Sequence, residues 1–286
     1  MTASHPQQLR SDFLVSSLTG SIQNRVAELA ASGISPRLAV VVASDDPAVT
    51  SYADSKRRKA KQLGVEVTLV TLHDTSSQAA FERAIIDLAK DPATHGIMIE
   101  LPVAKGLDAS KALELIPANK DVDGLTAANL GLLAQGHEDQ AICPATPRSC
   151  ILLAEQMAEV VGATVAVVGR GATVGKPLST MLLNRHATVT VCHSKTPDVG
   201  AAIAASDFVF TAVGKPHFLN QAMLQPHHRV IDAGISYIDG KLAGDFDPAA
   251  ANFVRAYTPV PGGVGPLTSI LIFDNLLRCI AIQGHA

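Results

Sequence analysis

Cysteine is scarce in this chain of 286 residues: Cys143, Cys150, Cys192 and Cys279 are the four present, and no two of them form a CxxC pair. That leaves no legible disulfide framework and no zinc-type ligand spacing, so no metal site is expected and a reducing, cytoplasmic setting fits. Charge is thin as well, at 17% of residues with a formal net of −3. Nucleic acid and anionic membranes require concentrated Lys and Arg, so neither is an expected partner. A small anionic ligand stays open, because a local basic site does not need a basic protein. No apolar run reaches the ~18 residues that a membrane span needs. The opening MTASHPQQLRSDF lacks a basic stretch ahead of an apolar one, so no signal peptide is expected. Low-complexity tracts, internal repeats and long linkers are missing too. What is there is 47% hydrophobic, the composition of a globular helix-and-strand protein rather than a disordered one. The length exceeds one ordinary core and suits two domains of ~100–200 residues each.

Short apolar runs alternate with longer helical patterns. RLAVVVAS (37–44) is continuous and β-branched, which predicts a buried parallel strand. A helix over 49–64 closed by Gly64 follows, then a strand over 65–72, a helix around 76–91 and a strand over 96–103. A second series begins near Pro144: strand 164–169, helix 175–186, strand 188–194, then 201–207, 208–214 and 229–235. Such alternation predicts βαβ units and parallel sheets, the second series reading as a doubly wound nucleotide-binding domain. The closing helix, 267–283, is amphipathic and is expected to pack back on the first domain.

The strongest local motif is VAVVGRGATVGKP (165–177), a strand running into Gly169-Arg170-Gly171, with Gly175 opening a helix. Glycines let the backbone turn sharply and approach phosphates, and a helix N-terminus offers unpaired N–H groups and a favourable dipole. The spacing is GxGxxxG, one residue longer than the usual dinucleotide fingerprint, so a purely structural turn is the alternative. The next strand ends in CHSKT, with Ser194 and no acid. An acid there would select NAD through the ribose 2′-hydroxyl, whereas Arg170 can pair with a 2′-phosphate, so NADP is the expected cofactor.

YADSK (52–56), IELPV (99–103), KDVDG (120–124), CPATP (143–147), GRGATVGKP (169–177), CHSKT (192–196) and TPVPGGVGPLT (258–268) stand in one order. Together they resemble the methylenetetrahydrofolate dehydrogenase/cyclohydrolase family over nearly the whole chain, KDVDG and PVPGGVGPLT being the most specific. The resemblance implies an α/β fold of two domains. A folate domain with a parallel-rich sheet would take 1–142 plus 269–286, and a Rossmann-like NADP-binding domain 143–268, with the folate site in the cleft. It implies that Tyr52 stacks on the pterin-side rings, that Lys56 with Glu100 at its side handles protons, and that Asp123 holds the pterin through its amino and ring nitrogens. Val49, Leu101, Pro102, Pro261, Gly262 and Gly263 would line the substrate, the PGGVGP loop closing over the reacting groups. Gly169, Arg170, Gly171, Thr173, Gly175, Ser194 and Ile235 would line NADP. Tetrahydrofolate derivatives would be the ligands, and a homodimer would form through an apolar surface of the cofactor domain.

The residues themselves allow these roles without demanding them. Tyr52 and Lys56 share one helix face, but Lys56 can equally be one solvated charge among Lys56, Arg57, Arg58 and Lys59. Asp121 and Asp123 can equally be loop or cap residues, and His193 reads as structural. Four departures from the family pattern stand out: Val49 for a usual serine, Glu100 for a usual glutamine, Ala145 and Ser149 in CPATPRS, and Gly171 for a usual serine. A carboxylate within ~4–6 Å of a lysine favours the ammonium form. Glu100 is therefore expected to weaken the cyclohydrolase step while sparing hydride transfer, unless Glu100 takes over as the base. Two other function classes remain open: a folate- or nucleotide-binding relative without catalysis, and an NAD(P)-dependent dehydrogenase of another small substrate.

Overall fold

Continuous β-branched runs pair as parallel strands covered on both faces, and they do so here twice. The computed structural model describes residues 6–284, the side chain of Ala48 excepted. Residues 1–5, part of the stretch read for a leader, lie outside the described residues. The chain divides into two compact units. One is Ser16–Ala145 with the stretch from Ser269 onward, and the other is the segment ending at Val15 with Thr146–Thr268.

The described chain opens on the two-residue strand β1 (Gln7–Gln8) and helix α1 (Asp12–Ala31). In the first unit, β2 (Arg37–Ala43), α2 (Pro47–Leu63), β3 (Glu66–Leu72), α3 (Gln78–Lys90) and β4 (Gly96–Glu100) follow in order. Their strands form an all-parallel sheet, β3-β2-β4. Gly64 closes α2 with φ +76°, the left-handed stop that a side chain resists. Ser77 caps α3 by accepting from the Ala80 N–H. The strand expected over 96–103 stops at Glu100, ahead of the cis Leu101–Pro102 bond. Pro102 has no N–H to give a ladder. Two helices, α4 (Ala109–Leu113) and α5 (Ala127–Ala134), flank a 3₁₀ turn at Ala118–Lys120. The core packs Phe81 and Ile85 of α3 against Val41, Ile97 and Ile99 of the sheet.

Helix α6 (Ala145–Met157) leads into the second unit. There β5 (Thr164–Val168), α7 (Gly175–Asn184), β6 (Thr188–Cys192), α8 (Val199–Ile203), β7 (Phe208–Thr211) and β8 (Arg229–Asp232) alternate. A hairpin of β9 (Ser236–Ile238) and β10 (Lys241–Ala243) and the short strand β11 (Ala256–Tyr257) complete it. Six strands form one parallel sheet in the order β1-β11-β8-β7-β5-β6. The chain leaves β5 to one side for β6 and returns on the other side for β7, so the carboxyl end of β5 is a topological switch point.

Two boundaries differ from expectation. The expected first domain, 1–142, gives up its opening segment, because β1 pairs in parallel with β11 and the Ser11 N–H donates to Gly262 O at 3.0 Å. The last helix, α9 (Val264–Ile282), starts inside the PGGVGP loop rather than at 267. Its later part packs on the first unit as expected: Asn275 Nδ2 donates to Val122 O and Cys143 O, and Gln283 Nε2 to His95 O and Asn119 O. By length and composition α9 is apolar enough to cross a membrane, but 56% of that window is buried inside the protein, as in a core helix.

Candidate active site

In the first unit, three ionisable groups from separate elements converge. Lys56 lies on α2, Glu100 is the last residue of β4, and Asp123 follows the 3₁₀ turn. Parallel strands deliver residues to their carboxyl ends, where ligands of open α/β sheets sit, and Glu100 arrives there. Lys56 Nζ donates to Oε1 and Oε2 of Glu100 at 2.9 and 2.7 Å, with side-chain exposures of 16% and 9%. A charge-assisted contact to both oxygens, this far from solvent, is among the stronger kinds of ion pair. The predicted neighbourhood of Lys56 and Glu100 is therefore present.

KDVDG divides its work among three side chains. Lys120 Nζ donates to Ala89 O and Asp91 O, closing the end of α3. Asp121 is wholly buried and accepts from Gly124 N, Thr126 N and Asn129 Nδ2, so it builds the turn. Gly124 has φ +70°, and an added Cβ would lie 2.4 Å from Ile142 O, so no other residue fits. Asp123 is half-buried, and no hydrogen bond from a described residue steadies its carboxylate. The carboxyl is pushed up to about 7, first by desolvation among densely packed neighbours, then by the Asp121 charge and, more weakly, by Glu100, against the pull of Lys56. Tyr52 shares α2 with Lys56 and is 39% exposed; Val49 is buried; Leu101 and Pro102 follow Glu100 directly and are exposed.

The remaining predicted positions lie in the second unit. Gly169, at the switch point, has φ +117°, and an added Cβ would meet Ala212 O at 2.4 Å. A Cβ on Gly175 would lie 2.1 Å from Gly169 O, so the turn closes only with glycine at both places. Gly171 differs: nothing lies within 4 Å of an added Cβ there. Val174 starts α7 without a side-chain cap. Arg170, Gly171, Thr173 and Ser194 are exposed around it, and Ile235 stands exposed after β8. His193 is structural as expected: its Nδ1 accepts from Lys195 N, and Thr196 Oγ1 accepts from His193 N. Pro261 is exposed, while Gly262 and Gly263 are buried, a Cβ on Gly262 meeting Arg10 and one on Gly263 meeting Pro259 O. Ser149 is buried and accepts from Thr268 Oγ1 at 3.1 Å. Ala145 opens α6 with a methyl side chain, followed by Thr146.

Sequence reasoning missed Asp232 and Asp245, both buried in the second unit. An acid closing an apolar strand in RVID, and another between glycine and phenylalanine in GDFD, were the available signals.

A switch-point glycine turn on a parallel sheet, accompanied by a separate α/β unit with a lysine–carboxylate cluster, defines a two-domain protein of the dinucleotide-binding class. The family model described as tetrahydrofolate dehydrogenase/cyclohydrolase, catalytic domain, matches residues 9–123, and that described as its NAD(P)-binding domain matches 144–284. The chain belongs to the tetrahydrofolate dehydrogenase/cyclohydrolase family. The bifunctional protein FolD of Deinococcus radiodurans is 49% identical over 251 residues, 87% of this chain and 83% of that protein. The structure of the bifunctional 5,10-methylenetetrahydrofolate dehydrogenase/cyclohydrolase from Thermoplasma acidophilum matches with a TM-score of 0.90 at 40% identity, over 98% of this chain and all (100%) of that one. The Trypanosoma brucei enzyme, complexed with NADP cofactor and an inhibitor, matches with a TM-score of 0.92 at 31% identity, over 99% and 100% of the two chains.

Proposed function

We propose that this chain oxidises 5,10-methylenetetrahydrofolate to the 5,10-methenyl cation with NADP⁺, and that Glu100 weakens its hydrolysis of that cation to 10-formyltetrahydrofolate. The observation that carries the reading is the two-oxygen hold of Glu100 on Lys56 beside Asp123. Asp123 has lone pairs to spare, and as a carboxylate it suits the paired N–H donors of a pterin amino group and ring nitrogen. Tyr52 offers a ring face on the same side of α2 as Lys56, and Val49, Leu101 and Pro102 of the same unit complete its substrate contacts.

The second unit fits a dinucleotide. Gly169 and Gly175 keep side chains out of the turn and the uncapped start of α7 suits a pyrophosphate, with Thr173 and Ile235 as the further cofactor contacts of this reading. Arg170 with Ser194, and no acid at the end of β6, suits the 2′-phosphate of NADP. Bound NADP⁺ supplies the hydride acceptor. Hydride loss leaves positive charge shared across the N–C–N bridge of the folate, and the carboxylates of Glu100 and Asp123 favour that charge.

Hydrolysis asks more of the protein. Water must add to the methenyl carbon, give up a proton, and let the ring C–N bond open. Lys56, with its protons drawn to both oxygens of Glu100, is a poor acceptor for that proton. Methenyl hydrolysis by Glu100→Gln, followed by loss of methenyl absorbance above the spontaneous rate, tests the idea. A rise of roughly tenfold or more is expected. A fall would mean that Glu100 is itself the base.

We further place the chain in the reducing cytoplasm as a homodimer. None of its four cysteines is joined in a disulfide. The second unit exposes Val161, Leu183 and Val191, the last on the edge strand β6, and an apolar edge of this kind invites pairing.

A further inference from the structure

Two acids of the second unit take no part in the chemistry above and are nonetheless heavily hydrogen-bonded. Asp245 is fully buried; its Oδ2 accepts from Thr211 Oγ1, Val213 N and Gly214 N at 3.1, 2.6 and 3.3 Å, and its Oδ1 from Lys215 N at 2.8 Å. Asp232, 2% exposed, accepts from Gly234 N and Asp245 N on Oδ1 and from Phe246 N on Oδ2. Two glycines make room for them: a Cβ on Gly234 would lie 2.2 Å from Asp245 Cγ, and one on Gly244 would lie 2.0 Å from Asp232 Oδ2. Burial holds the Asp232 carboxyl up to about 6, against the pull of its N–H donors. Burying adjacent like charges without a cation is costly, and a fold that needed only packing would do better with apolar residues.

The place of the pair supplies a reason. Thr211 ends β7 and Asp232 ends β8, on the carboxyl edge beside the switch point. The loop that Asp245 gathers, Val213–Lys215, continues directly from Ala212, whose carbonyl is the surface Gly169 packs against. The N–H that Asp232 holds, Gly234, immediately precedes Ile235. We infer that Asp232 and Asp245 are positioning residues for the cofactor, bracing the loops after β7 and β8 in the shape on which the phosphate turn rests. The inference rests on the assignment of NADP to this unit.

Asp245→Asn tests it. The side chain keeps its shape, but its amide nitrogen faces N–H donors and loses their bonds. The KM for NADP⁺ is expected to rise about tenfold or more, with kcat and the KM for methylenetetrahydrofolate changed less than about threefold. A merely structural role lowers the amount of folded enzyme, so kcat falls while the KM for NADP⁺ stays put, and that result overturns the inference. So does an unchanged enzyme. If Asp245→Asn does not fold, Thr211→Val removes one donor and keeps the volume; the same split, at about threefold, is then expected. Calorimetry of NADP⁺ with the wild-type protein separates the two claims: no binding there removes the cofactor assignment itself, whereas wild-type binding matched by the variants removes only the brace.

Discussion

Asp121 and Asp123 are two residues apart and do opposite things. Asp121 spends its oxygens on Gly124, Thr126 and Asn129 and is lost to any ligand, while Asp123 keeps its own and is pushed up to about 7. Sequence spacing could not assign these roles, because both positions suit a loop acid; only the direction of the turn does so. The shift has a definite sign. A carboxyl raised from 3.8 to about 7 is harder to ionise folded than unfolded, so burying it is free of charge cost at low pH. The cost grows as the pH climbs through that window and is complete above it. Asp123→Asn is therefore expected to melt a few degrees higher than wild type at pH 8, the gap narrowing as the pH falls through 7 and closing only below about pH 4, when melting is followed by circular dichroism. The same variant should bind tetrahydrofolate at least ~10-fold more weakly at pH 8, measured by fluorescence titration. Equal binding would remove Asp123 from the folate site. Lys56 and Glu100 were expected to be neighbours, and they are. What the sequence did not contain was the two-oxygen geometry, since it depends on where β4 stops.

At the scale of elements, glycines divide by necessity. Gly169 and Gly175 each face a backbone carbonyl within 2.4 Å of an added Cβ, so the turn and the start of α7 depend on both. Gly171 faces open space. Gly175→Ala is therefore expected to abolish measurable NADP⁺ binding, whereas Gly171→Ser should fold normally. The added hydroxyl should improve NADP⁺ affinity by about threefold, read by calorimetry. Weaker binding by Gly171→Ser would mean that the turn needs its backbone freedom there. The strands were legible because β-branched runs such as RLAVVVA and TVAVV are uninterrupted. Helix α1 was not assigned: it buries only Ile22 and Val26 among its twenty residues and leaves Phe13 at 77% exposure, too narrow a stripe to read. The hairpin β9–β10 escaped as well, three residues a side with Tyr237 and Ile238 turned outward.

At the scale of the whole molecule, the two-unit plan was visible in the change from one series of strands to the next, but its seam was not. The opening segment crosses to the second unit through β1, two residues long, and two residues carry no periodicity. Buried Asp232 and Asp245 left only the faint signals of RVID and GDFD, because a sequence shows an acid's charge and not the N–H groups that surround it. Assembly belongs to this scale. Light scattering on the purified protein is expected to give twice the 29.8 kDa chain mass, and Val191→Lys on the edge strand should shift it towards the monomer; a monomeric wild type would contradict the assignment. The most direct measurement of the central claim mixes the protein with 5,10-methylenetetrahydrofolate and NADP⁺ and follows reduced cofactor and methenyl product at separate wavelengths. NADPH and the methenyl signal rising together, with the methenyl signal then decaying little faster than it does spontaneously, is the predicted result. NADPH rising while the methenyl signal stays low would show that hydrolysis keeps pace and that Glu100 does not hold Lys56 back.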